Sequence, residues 1–369
     1  MVFQHSWVEL SRSNLLSNLQ TTRKKLSKKI KLFAVVKANA YGHGLKEVIN
    51  ISNKHVDAFC FAGSEEALQA RAFTKKRIIV LSYFATLQKK HLIKLSKKEI
   101  EVPIFDISTL RAMQRLKKEI KIHVKIDTGA TRIGFLKSEI GFVAKMIRDE
   151  AHLKLTGVYS HFAEAEKPKS RFTKNQKDLF NSLSAKLIKE SGVKRIVERH
   201  IACSAALATN TQTHFDAVRL GIHLYGLSGL PPLSTPALKP VLSWKTHVIQ
   251  IKKVTRGVTI GYNRTYKVKK NKSIAIIPVG YADGLPRLLS NKGYVLIHGK
   301  KAFILGTVCM NLTMIDVTSI PGVKRGDQVT IISNEKGSRL TATTIAKQAH
   351  TINYEIVTHI HPNLKRVIV

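Results

Sequence analysis

Lys37 closes the apolar run Ala34-Val35-Val36 and is followed by Ala38-Asn39-Ala40-Tyr41-Gly42-His43-Gly44, a polar turn punctuated by glycine. An amine at the end of a buried strand, facing a turn built for close backbone approach, is placed to form an imine with a carbonyl compound. A strand-end lysine standing alone reads as a snorkelling side chain beside ordinary turn glycines. Two glycines, a histidine and a tyrosine at set offsets favour the chemical reading. Lys125 and Arg132 pose a second question. If the loop between them folds back, two cations sit close together, and the lysine should shed its proton. A neutral amine can add carbon dioxide to become a carbamate, an anion suited to holding Arg132. The other reading pairs Lys125 with Asp127 on the same strand face.

The elements that must position these groups alternate between strand and helix over the first two thirds of the chain. Runs rich in β-branched and aromatic residues occur at 32–36, 58–62, 78–82, 101–105, 122–126, 157–161, 196–201 and 217–221. Helical periodicity fills most gaps, as at 45–52, 64–73, 107–116 and 176–191. Eight such units predict an α/β fold, a (β/α)8 barrel of parallel strands. The pattern changes near Leu230-Pro231-Pro232, with Pro236 and Pro240 close behind, which read as a linker. Short strands are then expected at 242–254, 273–278, 294–297, 302–308, 314–317 and 328–332. A helix at 341–350, running on through Tyr354, and a last strand at 365–369 follow. The expected division is a barrel domain over 1–234 and a mostly β domain over 235–369.

A barrel places its chemistry at the carboxyl ends of its strands. Lys37 falls at the end of the first, His161 at the sixth, Ser204 just past the seventh, and Arg219 and Gly221 at the eighth. Loops after the last two strands are a barrel's usual phosphate site. Ser204 can donate a hydroxyl there, and Gly221 and Ile222 backbone N–H groups.

Composition bounds the partners. The formal net charge is +38 over 369 residues, which suggests nucleic acid. The basic pairs recur along the whole chain, however, from Lys24-Lys25 to Lys269-Lys270, with no finger or aromatic-basic strand among them. They read as a lysine bias on solvated faces, with weak salt-sensitive adhesion to polyanions and no specific nucleic-acid site. No run approaches the about 20 apolar residues that span a bilayer, and no signal peptide is evident. Cys60, Cys203 and Cys309 are far apart and odd in number, which argues for a reducing, cytoplasmic setting. No metal site is expected.

The stretch around Lys37 resembles the pyridoxal-phosphate attachment motif of the alanine racemases, fold-type III enzymes. The resemblance extends in order along the chain. It takes in Lys125-Ile126-Asp127-Thr128-Gly129-Ala130-Thr131-Arg132, His200-Ile201-Ala202-Cys203-Ser204-Ala205 and Val218-Arg219-Leu220-Gly221-Ile222. Gly261-Tyr262-Asn263-Arg264-Thr265-Tyr266, Pro278-Val279-Gly280-Tyr281-Ala282-Asp283-Gly284, Cys309-Met310 and Tyr354-Glu355-Ile356 complete it. It implies a racemase that interconverts L- and D-alanine and supplies D-alanine for peptidoglycan, with pyridoxal 5'-phosphate as cofactor. By that resemblance Lys37 carries the cofactor and serves one face of the substrate, and Tyr262 serves the other. Arg219 faces the pyridine nitrogen. Tyr41, His161, Ser204, Gly221, Ile222 and Tyr354 contact the cofactor, with His200 behind Arg219. Arg132, Tyr281 and the Met310 backbone meet the substrate, and Lys125 is a carbamate candidate. The β domain reaches the partner's barrel, so Tyr262, Tyr281 and Met310 act in trans in a head-to-tail homodimer.

The chain departs from the family at three places. Ala130 stands where methionine is expected, Cys203 where asparagine is usual, and Asn311 where aspartate is common. The alternatives are a broad-specificity serine or lysine racemase and a basic amino acid decarboxylase of the same fold. The decarboxylase should show an acid facing the pyridine nitrogen.

Overall fold

The structure is a computed structural model and describes residues 5–230, 237–335 and 337–369. Its first strand, β1 (Ser6–Leu10), alternates buried and half-buried positions, with Ser6, Val8 and Leu10 turned inward. The barrel follows: β2 (Lys31–Val35), β3 (Ala58–Gly63), β4 (Arg77–Tyr83), β5 (Ile100–Ile104), β6 (Ile120–Lys125), β7 (Leu153–Tyr159), β8 (Glu198–His200) and β9 (Ala217–Leu220). All neighbouring pairs are parallel, in the order β8-β7-β6-β5-β4-β3-β2-β9. Asp216 N to Arg199 O (3.1 Å) and Arg219 N to Ala202 O (3.0 Å) join β8 to β9 and close the ring. These strands are nearly continuous apolar runs because helices cover the outside and side chains fill the inside. The fold is therefore the expected (β/α)8 barrel, followed by a mostly β region.

That region holds β10 (Leu242–His247), β11 (Gln250–Val254), β12 (Thr259–Ile260), β13 (Tyr266–Lys267), β14 (Lys272–Ile277), β15 (Tyr294–Ile297), β16 (Lys300–Phe303), β17 (Thr313–Asp316), β18 (Gln328–Ile332) and β19 (Lys365–Ile368). They form a six-stranded sheet, β16-β15-β18-β10-β1-β19, a three-stranded sheet, β11-β14-β17, and the ribbon β12-β13. Thus β1 lies between β10, antiparallel, and β19, parallel, in the second region's main sheet rather than in the barrel.

Several boundaries differ from the sequence reading. The single strand expected at 242–254 is two, because the chain changes sheets between Val248 and Ile249. Val248 N bonds Asp327 O, and Ile249 N bonds Ile276 O, both at 2.9 Å. The helix expected from 341 through Tyr354 is two, Ala342–Gln348 and Asn353–Thr358, broken where His350 adopts φ +53°. The helix expected at 176 begins at Arg171, with the Ser170 hydroxyl accepting from Phe172 N as its N-cap. The boundary at 234/235 and Pro231, Pro232 and Pro236 lie outside the described residues. The basic pairs sit mainly on exposed faces, as a solvated lysine bias requires.

Candidate active site

Lys37 follows β2 and opens a turn of unusual hand. Ala38, Asn39, Ala40 and Tyr41 all have φ near +53°, so four successive non-glycine residues are left-handed, before Gly42 at +77° and Gly44 at +100°. Such a conformation costs roughly 1–2 kcal/mol per residue, so its surroundings must hold it in place. Asn39 Oδ1 accepts from Leu45 N (2.8 Å), and Asn39 N donates to Glu66 Oε1 (3.0 Å). Gly42 is required by contact as well as by φ, since a Cβ there would lie 1.8 Å from Val357 O.

A cavity of 520 Å³ opens beside this turn, at the carboxyl ends of the barrel strands. Lys37, Tyr41, Lys125, Arg132, His161 and Ser204 line it, as do Arg219, Gly221, Ile222 and Tyr354. Burial and the charge of Arg132 lower the pKa of Lys37, against an opposing pull from Glu66. Burial, then Arg132 and Arg219, bring the Lys125 ammonium down to about 7. The loop after β6 does fold back, with Phe135 N bonding Lys125 O (2.9 Å) and Asp127 N bonding Phe135 O (3.0 Å). Asp127 does not pair with Lys125. Its carboxylate accepts from the backbone N–H of Gly129, Thr131 and Arg132 at 2.8–3.2 Å. Among the described residues Lys125 has no ion-pair partner.

Arg219, in β9, is buried and held from several sides. Nη1 bonds Nδ1 and O of His200 at 2.6 and 2.9 Å. Nη2 bonds Ser160 O (2.7 Å), Ile201 O (3.1 Å) and His161 Nδ1 (3.2 Å). Among the described residues Nε has no partner, which leaves one donor of the fork for a ligand. A guanidinium only donates, so it fixes both histidines. His161 and His200 must accept at Nδ1 and carry their proton on Nε2. Burial, then Arg219, holds both well below the usual histidine range, so both are neutral.

The sequence reading missed what lies behind His200. Its Nε2 is 3.1 Å from His123 Nδ1, and His123 Nε2 is 2.7 Å from Glu101 Oε2. Arg77 grips Glu101 at 2.7 and 2.9 Å and Glu198 at 2.8 and 3.0 Å. Burial alone would raise the pKa of Glu101; the bonds from His123 and Arg77 prevail and hold it below the usual carboxylate range. The tautomers then run one way, from Arg219 through His200 and His123 to the carboxylate. Gly157 makes room for this, since a Cβ there would lie 2.1 Å from His123 Nδ1. The signal was available: ionisable residues in the middle of otherwise apolar barrel strands.

Just past β9, Gly221 N donates to Ser204 Oγ (2.9 Å). A Cβ on Gly221 would meet the Tyr41 hydroxyl at 2.9 Å and Ser204 Oγ at 3.7 Å, so the missing methyl leaves a cradle between two hydroxyls. Burial raises the pKa of Tyr41 and of Tyr354 and keeps both as donors. Cys203 also lines the cavity, as its place beside Ser204 predicts.

Strand ends differ slightly from expectation. β7 stops at Tyr159, two residues before His161, and Arg219 is inside β9 with Gly221 beyond it. Tyr262, Tyr281 and Met310 are not brought to the cavity of their own chain. They are 69%, 44% and 55% exposed on the β region, where Tyr262 shares a groove with the exposed apolar residues Ile249, Val258 and Leu312.

Comparison with known proteins bears on this arrangement. Residues 10–229 match the family described as alanine racemase, N-terminal domain, and residues 241–368 that described as alanine racemase, C-terminal domain. The chain is 39% identical over 373 residues to the alanine racemase of Halothermothrix orenii, covering 98% of this chain and 96% of that one. It is 35% identical over 377 residues to the alanine racemase of Methanococcus maripaludis, covering 100% and 99%. Among solved structures, the alanine racemase of Bacillus anthracis with bound L-Ala-P superposes with a TM-score of 0.91 at 32% identity, covering 100% of this chain and 96% of that one. The alanine racemase from a D-cycloserine-producing Streptomyces lavendulae gives 0.90 at 31% identity, covering 100% and 98%.

Proposed function

This chain belongs to the alanine racemase family, and from that premise we propose that Lys37 and Tyr262 of the partner subunit move the α-proton across opposite faces of alanine in the barrel cavity. It is a pyridoxal 5'-phosphate-dependent racemase that interconverts L- and D-alanine, an activity whose family role is to supply D-alanine for peptidoglycan. Bound here, the cofactor supplies an electron sink that labilises the α-hydrogen of an amino acid.

The residues present fit that group. Lys37 would carry it covalently. The cradle over Gly221, with the Ser204, Tyr41 and Tyr354 hydroxyls and the Ile222 N–H, would take the phosphate. The free Nε of Arg219 would donate to the pyridine nitrogen, which must then be an unprotonated acceptor. That one observation, a guanidinium with all but Nε engaged, carries the reading. It also sets aside the decarboxylase, which needs an acid at that place. With Arg219 as donor at that place, the cofactor would be a weaker electron sink than one facing an acid, which would disfavour side reactions.

Lys37, with its lowered pKa, holds or gives a proton at Nζ on one face. The partner's Tyr262 does so on the other; His161, which lines the cavity and carries its proton on Nε2, would stabilise its deprotonated form. Arg132 holds the substrate carboxylate, and the partner's Tyr281 and Met310 close the site. This division of groups supports a homodimer, since Tyr262 does not line the cavity of its own chain. The units are 1–234 and 235–369, with β1 lent to the second sheet. Among the described residues no helix is long and apolar enough to cross a membrane. With three free cysteines, a cytoplasmic enzyme is the reading we adopt. The test is alanine exchange in heavy water together with borohydride reduction. Deuterium at the α-carbon of both enantiomers, and a reduced cofactor adduct on Lys37, are expected. Decarboxylation without exchange would overturn the reading.

A further inference from the structure

The left-handed turn that presents Lys37 is held from outside by the far end of the chain. Arg366 lies on β19, and its Nη2 and Nε donate to Gly42 O at 2.9 and 3.3 Å. The rest of its fork goes to backbone carbonyls. Nη1 reaches His361 (2.8 Å), Pro362 (2.7 Å) and Leu364 (2.5 Å), and Nη2 reaches Ile360 (3.3 Å). Among the described residues no carboxylate pairs with it. Burial lowers its pKa to about 10, with Glu47 opposing, yet it remains a cation at neutral pH.

A guanidinium spread over five carbonyls is a fixed fork, which a lysine cannot reproduce. β19 itself is anchored by its parallel pairing with β1. The helix Asn353–Thr358, a few residues before β19, abuts the same turn at Gly42 and sends Tyr354 to within 6.2 Å of Tyr41, ring centre to ring centre. The turn is thus held at Gly42 by two separate contacts from residues 353–368. Its four left-handed non-glycine residues are the part of the site least able to hold their own shape.

We propose that Arg366 is a positioning residue for Lys37: by pinning the Gly42 carbonyl it keeps the left-handed turn formed and aims the lysine at the substrate. The proposal rests on Lys37 as the cofactor-bearing group, and its test has an arm that does not depend on the cofactor.

Amide hydrogen exchange of residues 38–44 is measured in the holoenzyme and after cofactor removal, for the wild type and Arg366→Met. Visible-region circular dichroism of the holoenzyme reports the orientation of the chromophore on Lys37. Loss of two hydrogen bonds to the turn should speed its exchange on the order of ten-fold in both states, alter the visible dichroism, and lower kcat more than it raises KM. Arg366→Lys should recover only part of this. Ala38→Gly, which makes positive φ free of steric cost at an exposed position, should partly rescue Arg366→Met. If Arg366→Met does not fold, the exchange rates of Arg366→Lys decide. Exchange in 38–44 no faster than elsewhere in the chain, or no rescue by Ala38→Gly, would overturn the proposal. Faster exchange in a protein that never binds pyridoxal phosphate would leave Arg366 as the clamp of the turn and would sink the functional reading, and with it the aiming of Lys37.

Discussion

Nη1 of Arg219 lies 2.6 Å from Nδ1 of His200, and both side chains are buried. Because the guanidinium can only donate, this contact orders every proton from the cavity to Glu101, and it commits Arg219 to facing its ligand as a cation. Replacing it by glutamate puts an acid where the structure has a donor. Arg219→Glu should lower racemisation on the order of 10²–10³-fold and raise the share of keto acid formed by transamination. Chiral chromatography with a pyruvate assay reads both; an unchanged product ratio would remove Arg219 from the ring nitrogen.

Lys125 titrates near neutrality. Its pKa of about 7 lies below the free-lysine value, so the amine is charged below pH 7 and neutral above it. Only the neutral amine adds carbon dioxide, releasing a proton as the carbamate forms. Native mass spectra in bicarbonate should therefore show one added CO₂ above pH 7, lost as pH falls through 7. Lys125→Gln should show none at any pH. An unmodified wild-type mass in saturating bicarbonate at pH 8 would rule the carbamate out.

Lys37 and Tyr262 lie in different parts of one chain, so two dead variants should repair each other. Lys37→Ala and Tyr262→Phe, mixed under conditions of subunit exchange, should form hybrids with one intact site of two. Random pairing then restores about one quarter of full activity. No recovery in a mixture shown to contain hybrids would argue that both groups act within one chain. Tyr262→Phe alone should slow proton abstraction from one enantiomer preferentially; small, equal losses in both directions would favour a single base.

Gly221 leaves a space beneath the Tyr41 hydroxyl that alanine would not keep open. Gly221→Ala should weaken pyridoxal phosphate about 10–100-fold, the equivalent of losing one or two hydrogen bonds to a charged group. Equal affinity by fluorescence titration would place the phosphate elsewhere.

The barrel was legible because its strands are buried on both faces and read as unbroken apolar runs. The Lys37, Ser204 and Arg219 neighbourhoods were legible because each sits where such a strand gives way to glycine or a hydroxyl. Three things were not. Ser6–Leu10 has the period-two pattern of a strand, but nothing local says that its partners lie more than 230 residues away. The backward hand of Ala38–Tyr41 was hidden because none of the four is glycine, and the flanking glycines drew the expectation of an ordinary turn. Glu101 and His123 each look like an isolated polar residue until the barrel closes and brings β5, β6 and β8 together.

The pairing of β1 with β19 has a consequence for how this protein is made. Val369 N bonds Leu10 O, and Arg12 N bonds Val369 O, both at 2.9 Å, so segments some 360 residues apart in sequence meet edge to edge. During translation β1 waits with one flank bare until β19 has been made, while the barrel between them can already close.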